Sequence, residues 1–357
     1  MRILLVSHPP VTAELGAAQI ALELAAALRR RGHDAVAWSP EPLAGATQWT
    51  LWKRQRSAIE AHCAAQGPYD VVDTPAISAT ARLAARSCLV ARSVQPELRY
   101  LRLGVLHDLR RRPSPRALLH ALAAAERGRA IRAGWRAARL VLCLGSLEHE
   151  QMAARYPRWR HKLGMYVSAV PAAERLTLLA LRTTRPARVH ANDTRFLWLG
   201  RWSAQKGTAA LLRLLRDRFQ NGGGESITIA GCGPHARRDI PAAWLDGGRV
   251  RLVPSYRRDE LPALLDAHDA GLFTSEVEGW GLSLAEMLEA GLPVYAALAG
   301  AVPDLLPYFP HSLRPLPPAA ASSAPLLEDL EANGYLARFD WDRIAGDYEA
   351  QVVAARA

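Results

Sequence analysis

A unit of short apolar strand, glycine-containing turn and helix opens this chain and then starts afresh past its middle. Ile3–Val6 reads as a buried strand, residues 18–31 as an Ala-, Leu- and Glu-rich helix ended by Gly32, and Ala35–Trp38 as the next strand. A strand feeding a helix that returns to a parallel strand is the repeat of a doubly wound α/β sheet. Further strands are expected at 71–72, 89–92 and 140–144, with helices at 52–66, 76–87, 115–137 and 146–155. The second series begins near Arg195. Its strands are expected at 196–199, 226–230, 250–253, 270–274 and 293–296, and its helices at 208–219, 260–267 and 284–290. At 357 residues the chain exceeds one ordinary core, so two domains are expected, over 1–170 and 195–335. Turn signals at Thr183-Thr184-Arg185-Pro186 and Asn192-Asp193 mark residues 171–194 as a linker. The Pro/Ala/Ser-rich stretch 311–325 reads as loop, and 336–357 as a last helix able to pack back on the N-terminal domain.

Charge divides the chain unevenly. Residues 1–190 carry a net +16 and residues 191–357 a net −5, within a formal total of +11. The basic half suits nucleic acid, anionic lipid or a phosphorylated substrate. No aromatic-basic module or recognition-helix motif accompanies the charge, so no nucleic-acid partner is expected. Four cysteines lie far apart, without a C-x-x-C pair, and read as buried thiols in a reducing compartment. The opening apolar run is too short for a signal peptide and no apolar run reaches 18 residues, so a cytoplasmic location is expected.

Three strand-to-helix segments carry the chemistry. In Ser275-Glu276-Val277-Glu278-Gly279-Trp280-Gly281-Leu282, two glycines let backbone approach a ligand, and the helix start offers free N–H groups to an anion or a sugar edge. Glu278 precedes the turn and Glu286 follows eight residues later, so the two carboxylates could grip different hydroxyls of one elongated ligand. A solvated acidic loop and helix surface is the alternative on composition alone, and Glu289 is read that way. In Gly200-Arg201-Trp202-Ser203-Ala204-Gln205-Lys206-Gly207, Arg201 and Lys206 form a cationic pair within the acidic half. Arginine forks onto a diphosphate and lysine adds a compact charge beside it. Only three lysines occur in the chain, which singles out Lys206. The third segment, Glu14-Leu15-Gly16-Ala17-Ala18-Gln19, opens onto the first helix. Neither G-x-G-x-x-G after the first strand nor G-x-x-x-x-G-K-[ST] occurs, against a dinucleotide oxidoreductase or a P-loop enzyme.

Taken in order, these motifs resemble those of the retaining GT-B glycosyltransferases of family 4, the group 1 glycosyl transferases. The likeness covers nearly all the chain and is strongest over 195–305. Glu278 to Glu286 matches the family's E-G-x-G-L-x-x-x-E, with Ser275 as its preceding serine; Gly200-Arg201 and Lys206-Gly207 match its G-R…K-G loop, and Gly231 to Pro234 its G-x-G-P turn. The resemblance implies two Rossmann-like domains facing across a cleft, the first binding acceptor and the second a nucleotide sugar. It implies that Arg201 and Lys206 hold the donor diphosphate, that Glu278 meets the donor sugar, and that Glu286 meets the ribose. The backbone of Gly279, Trp280, Gly281 and Leu282 would line the pocket, Pro254 and Ser255 would lie near the base, and the loop at Gly16 would close over the donor. Glu278, Arg201 and Lys206 are the expected catalytic set. The donor is a nucleoside diphosphate sugar, and no other cofactor and no metal is expected.

The chain departs from the family pattern where Ala17 replaces a second glycine and where Val94, in Arg92-Ser93-Val94-Gln95, stands in a histidine's usual place. His107 with Asp108 is a candidate substitute, though at the wrong spacing, and a satisfied or solvent-facing histidine is the favoured reading. A sugar-nucleotide-binding protein weakened in catalysis and a sugar-nucleotide epimerase therefore remain as alternatives. The acceptor is expected to be a hydroxyl of a glycan, for which a lipid-linked or other cell-envelope saccharide is the candidate. Arg110-Arg111-Arg112, Arg116, Arg127, Arg129, Arg132, Arg136 and Arg139, with Leu118, Leu119, Leu122 and Trp135, offer a surface for peripheral contact with an anionic membrane.

Overall fold

The computed structural model describes residues 1–12, 16–40, 43, 47, 49–111, 114–185, 194–220, 224–318 and 327–357. They form two units, Met1–Ala169 with Ala337–Ala357, and Val170–Leu336.

Unit 1 runs β1 (Arg2–Val6), α1 (Gly16–Arg30), β2 (Asp34–Trp38), α2 (Leu51–Gln66), β3 (Val71–Thr74), α3 (Ala81–Ala84), β4 (Cys88–Arg92), α4 (Glu97–Arg111), α5 (Pro115–Ala137), β5 (Leu140–Leu144), α6 (Ser146–Arg155) and β6 (Leu163–Tyr166). All six strands are parallel, in the order β2-β1-β3-β4-β5-β6. Every residue of β3, β4 and β5 is buried, as helices on both faces of a parallel sheet require. The core on one face gathers Leu4, Ile59, Val72, Leu89, Ile131 and Trp135.

Unit 2 repeats the plan with α7 (Ala172–Thr184), β7 (Arg195–Leu199), α8 (Thr208–Gln220), β8 (Ser226–Ala230), α9 (Ala242–Asp246), β9 (Val250–Val253), α10 (Leu261–Asp266), β10 (Ala270–Phe273), α11 (Leu282–Glu289), β11 (Val294–Ala296), α12 (Val302–Leu305) and β12 (Leu313–Pro315); α13 (Tyr335–Arg338) begins in unit 2 and ends in unit 1. Its strands are again parallel, in the order β12-β11-β10-β7-β8-β9. Phe196, Trp198, Leu211, Ile227, Ile229 and Leu272 fill a core beside β7 and β8. The doubly wound expectation holds in both halves.

The last helix, α14 (Trp341–Arg356), packs on α1 within unit 1. Arg31 donates to Glu349 at 2.8 Å on the outside. Inside, Tyr348 donates its hydroxyl to Asp73 at 3.0 Å, and Asp73 accepts from Arg92 at 2.7 Å. Asp73 lies near the end of β3 and Arg92 closes β4, so Tyr348 ties the helix to a buried ion pair in the middle of the sheet.

Several elements differ from expectation. Residues 76–87 do not make one helix, because Thr80 is extended (φ −131°, ψ 157°) and its hydroxyl caps the Leu83 N–H at the start of α3. Helix α4 was not expected: its arginines lower its mean hydropathy below that of a recognisable apolar stripe. Strand β6 was also missed, being only partly buried except at Tyr166. Helix α7 occupies part of the stretch read as linker and packs on α10 and α11, while residues 186–193 lie outside the described residues. Strand β12 occupies part of the stretch 311–325 read as loop.

Candidate functional site

Parallel strands all point one way, so the turns that follow them gather at one end of the sheet, where ligands of open α/β sheets bind. In unit 2 these turns hold one another through backbone. The Gly200 N–H donates to Ala230 O at 3.0 Å, Gly231 N–H to Val253 O at 2.8 Å, and Gly233 N–H to Pro254 O at 2.8 Å. From the turn after β10, Glu276 and Val277 donate to Gln205 O at 2.9 and 3.1 Å. Thr274 accepts from the Trp198 indole at 2.9 Å and donates to Lys206 O at 2.8 Å. Gly207 is fixed by this junction: it lies at φ +70°, and a Cβ there would sit 1.7 Å from Thr274 O.

The junction brings together Lys206 and Glu278, 72 residues apart in sequence. Lys206 Nζ donates to Glu278 Oε2 at 2.5 Å, and Ser275 Oγ donates to the same oxygen at 3.0 Å. Both charged side chains are largely shielded from water, so the pair is stronger than a solvated one. Gly279, Trp280 and Gly281 lead from Glu278 into α11. The Trp280 ring is 2% exposed and its carbonyl accepts from the Ala301 N–H at 2.8 Å, so its side chain belongs to the core while its backbone forms the turn. Gly300, which the motif reading missed, presses against this turn: a Cβ there would lie 2.5 Å from Trp280 O and 3.1 Å from Glu278 Cγ. The first N–H groups of α11, at Leu282 and Ser283, precede any carbonyl the helix can offer them.

Glu286 sits one turn further along α11. It is 2% exposed and accepts from Arg258 at 2.6 Å; Arg258 also pairs with Glu174 of α7. Burial raises the Glu286 carboxyl, and the Arg258 guanidinium opposes that rise. Arg258 itself is held charged: burial disfavours its charge, but the two carboxylates outweigh it. Tyr256 stands beside this group, its phenol pushed up to about 12 by burial and then by Glu286. Neither Arg258 nor Glu174 was singled out from sequence, and Glu174 is 84 residues from its partner.

Arg201 is exposed in the turn after β7, and Pro254 and Ser255 are exposed after β9. The reading of Glu289 as a solvated carboxylate is corrected: it is 0% exposed, gripped by Arg175 at 2.9 Å and by the Tyr335 hydroxyl at 2.8 Å. In unit 1, Gly16 opens α1, and Glu14 and Leu15 lie outside the described residues. His120 Nδ1 donates to Asp108 Oδ2 at 2.9 Å, which joins α4 to α5. His8, after β1, meets the Ser78 hydroxyl at 2.8 Å, and burial lowers its imidazole to about 4. Among the described residues no group of three or more His, Cys, Asp and Glu side chains is placed to hold a metal ion, and no helix is long and apolar enough to cross a membrane.

The family described as glycosyl transferases group 1 matches residues 193–308, the stretch that supplies Lys206, Arg258, Glu278 and Glu286. No curated protein matches the chain by sequence. Among solved structures, a sucrose-phosphate synthase from Thermosynechococcus elongatus is similar at TM-score 0.63 and 17% identity, over 99% of this chain and 94% of that one. The catalytic domain of starch synthase IV from Arabidopsis thaliana, bound to ADP and acarbose, is similar at TM-score 0.62 and 12% identity, over 99% of both chains. The Anabaena protein HepE in complex with UDP and glucose is similar at TM-score 0.53 and 16% identity, over 100% of this chain and 95% of that one. At these identities the likeness is one of fold, and the fold is GT-B: two Rossmann-like α/β units in one chain.

Proposed function

We propose that the protein is a retaining, nucleotide-sugar-dependent glycosyltransferase of family 4 that moves a sugar to a hydroxyl acceptor. The observation that carries the reading is the contact of Lys206 with Glu278 at the carboxyl end of the unit 2 sheet, ringed by glycine turns and the start of α11. A diphosphate entering there would exchange with Glu278 for the Lys206 ammonium, and the freed carboxylate would turn to the sugar hydroxyls. Arg201, exposed beside the site, would fold onto the phosphates. The α11 N–H groups would meet the same anion. Glu286, oriented by Arg258, is assigned to the ribose, and Pro254 and Ser255 to the rim of the base pocket. The solved structures with UDP and glucose, or with ADP, support a nucleoside diphosphate donor.

In the reaction the bond from the anomeric carbon to the diphosphate breaks and a bond to the acceptor oxygen forms on the same face. The acceptor proton passes to the departing phosphate. Negative charge grows on that phosphate, where Lys206 and Arg201 stabilise it; a single such donor is worth roughly 10²–10³ in rate. No residue of unit 2 has to act as nucleophile.

Unit 1 is assigned the acceptor, a glycan hydroxyl with a lipid-linked saccharide as the candidate, and the protein is assigned a cytoplasmic, peripheral membrane location, which the surface of unit 1 supports. Leu118, Leu119 and Leu122 of α5 are 61, 57 and 61% exposed, with Arg129, Arg136 and Arg139 exposed on or just after the same helix. Arg112, and the side chains of Arg110, Arg111 and Arg116, lie outside the described residues. The test is a screen of UDP-, GDP-, ADP- and dTDP-sugars for release of free nucleoside diphosphate with membrane extract as acceptor. Release that depends on extract supports transfer. Conversion of one nucleotide sugar into another without extract would mean epimerisation, and donor binding without turnover would mean a binding protein.

A further inference from the structure

Unit 1 holds a cavity of about 490 Å³ walled by α4, α5 and α6, within the range of small-molecule sites. Leu98, Leu101, Val105, Gly128, Trp135 and Met152 supply its apolar walls. Four arginines, Arg99, Arg102, Arg132 and Arg155, also line it, all at least partly exposed, so positive charge collects at the mouth. Arg99 reaches from α4 to Gln151 of α6 at 3.0 Å and so spans the opening.

Gly128 indicates that the space is kept rather than left over. It lies in the interior of α5, where glycine costs about 1 kcal/mol relative to alanine. It is not there to avoid a clash: a Cβ at this position would meet nothing nearer than Leu98 Cδ2 at 3.5 Å and the Arg132 guanidinium at 3.7 Å. Its backbone conformation is ordinary helix. A side chain there would project toward Leu98 and Arg132, both of which line the cavity.

We propose that this cavity binds a single anionic amphiphile, its apolar chain lying against Leu101, Val105 and Trp135 and its acidic headgroup held by Arg132 and Arg155. Charge complementarity decides between an anionic and a neutral headgroup. Two carboxyls also line the cavity, Glu97 and Glu148, against four arginines; burial pushes them up to about 8 and about 7, so near neutral pH Glu97 is mostly protonated and Glu148 about half, and the lining stays net positive. Glu148 is further occupied by the Ser93 hydroxyl at 2.6 Å and the Leu144 N–H at 2.8 Å. The proposal concerns unit 1 alone and stands independently of the donor reading.

The experiment titrates the full chain with cis-parinaric acid and with its methyl ester, below the micellar concentration of each and with no vesicles present. Binding of the acid should saturate at one per chain. R132A/R155A should weaken the acid at least tenfold and leave the ester within twofold. G128F, which fills the cavity, should abolish both; A124F from the same helix does so from a second position, should G128F fail to fold by circular dichroism. Unaltered acid binding by a folded filling variant, or equal affinity of the wild type for acid and ester, would overturn the proposal.

Discussion

Replacing Arg258 by methionine removes a cation that touches both Glu286 and Glu174. Glu286 is 2% exposed, so the variant leaves a carboxylate buried with no counter-charge. Breaking a buried pair in this way costs about 3–5 kcal/mol. The lower end applies, because the Arg258 and Glu174 side chains are 19 and 26% exposed and water relieves part of the loss. For a unit of this size about 3 kcal/mol corresponds to a fall of roughly 6–12 °C in the unit 2 melting transition. The penalty has a pH sign. Without Arg258 the Glu286 carboxyl in the folded state rises further above its unfolded value, so the folded state binds the proton more tightly. Stability then falls as pH rises from the unfolded carboxylate value through the folded one. Calorimetry of R258M at pH 5 and pH 8 should show the larger deficit at pH 8, and E286Q in the R258M background should restore most of it. A melting point within 2 °C of wild type, or an equal deficit at both pH values, would show that Glu286 does not depend on Arg258.

The same sign applies in unit 1. Burial holds Glu148 at about 7 against an ordinary 4.5, so its contribution is largest in acid and is lost as pH climbs through about 7, by about 3 kcal/mol. His8, lowered to about 4, acts oppositely and gains stability up to its ordinary value near 6.5. Urea unfolding should therefore show E148Q losing less stability than the wild type, by about 3 kcal/mol, as pH rises from about 4.5 to just above 7; a difference between the two proteins that does not change over that range would reject the buried-carboxyl account. At the surface, L118S/L119S/L122S should abolish flotation of the protein with anionic vesicles while leaving its melting point within about 1–2 °C, since these side chains are already exposed. Flotation by the triple variant equal to wild type would remove the membrane assignment.

Much of the fold was legible because its strands are short and mostly apolar: β5, β7 and β8 run into Gly145, Gly200 and Gly231, and β10 into Thr274-Ser275. What hid α4 was its polarity, and what hid α7 was a run of turn residues at its carboxyl end that outweighed its apolar stripe. The site was legible where contact is encoded locally. Lys206-Gly207 and Glu278-Gly279 announce themselves as turns after strands, although nothing in their spacing states that they touch. Arg258 and Gly300 carried no such signal, since each acts on α11 or its entry turn from a different crossover of the sheet. Glu289 was misread for the same reason. The helix pattern shows one face of α11, whereas the residues that bury it, Arg175 and Tyr335, come from segments 114 and 46 residues away.

The central claim is that a nucleoside diphosphate is held by Lys206 and Arg201. Isothermal titration of UDP, GDP, ADP and dTDP into wild type, K206A and R201A tests it without reference to any acceptor. One nucleotide should bind to the wild type and lose at least tenfold in affinity in each variant, while the corresponding nucleoside, lacking phosphate, should bind all three proteins alike. Nucleotide affinity unchanged in both variants would contradict the assignment and, with it, the donor site.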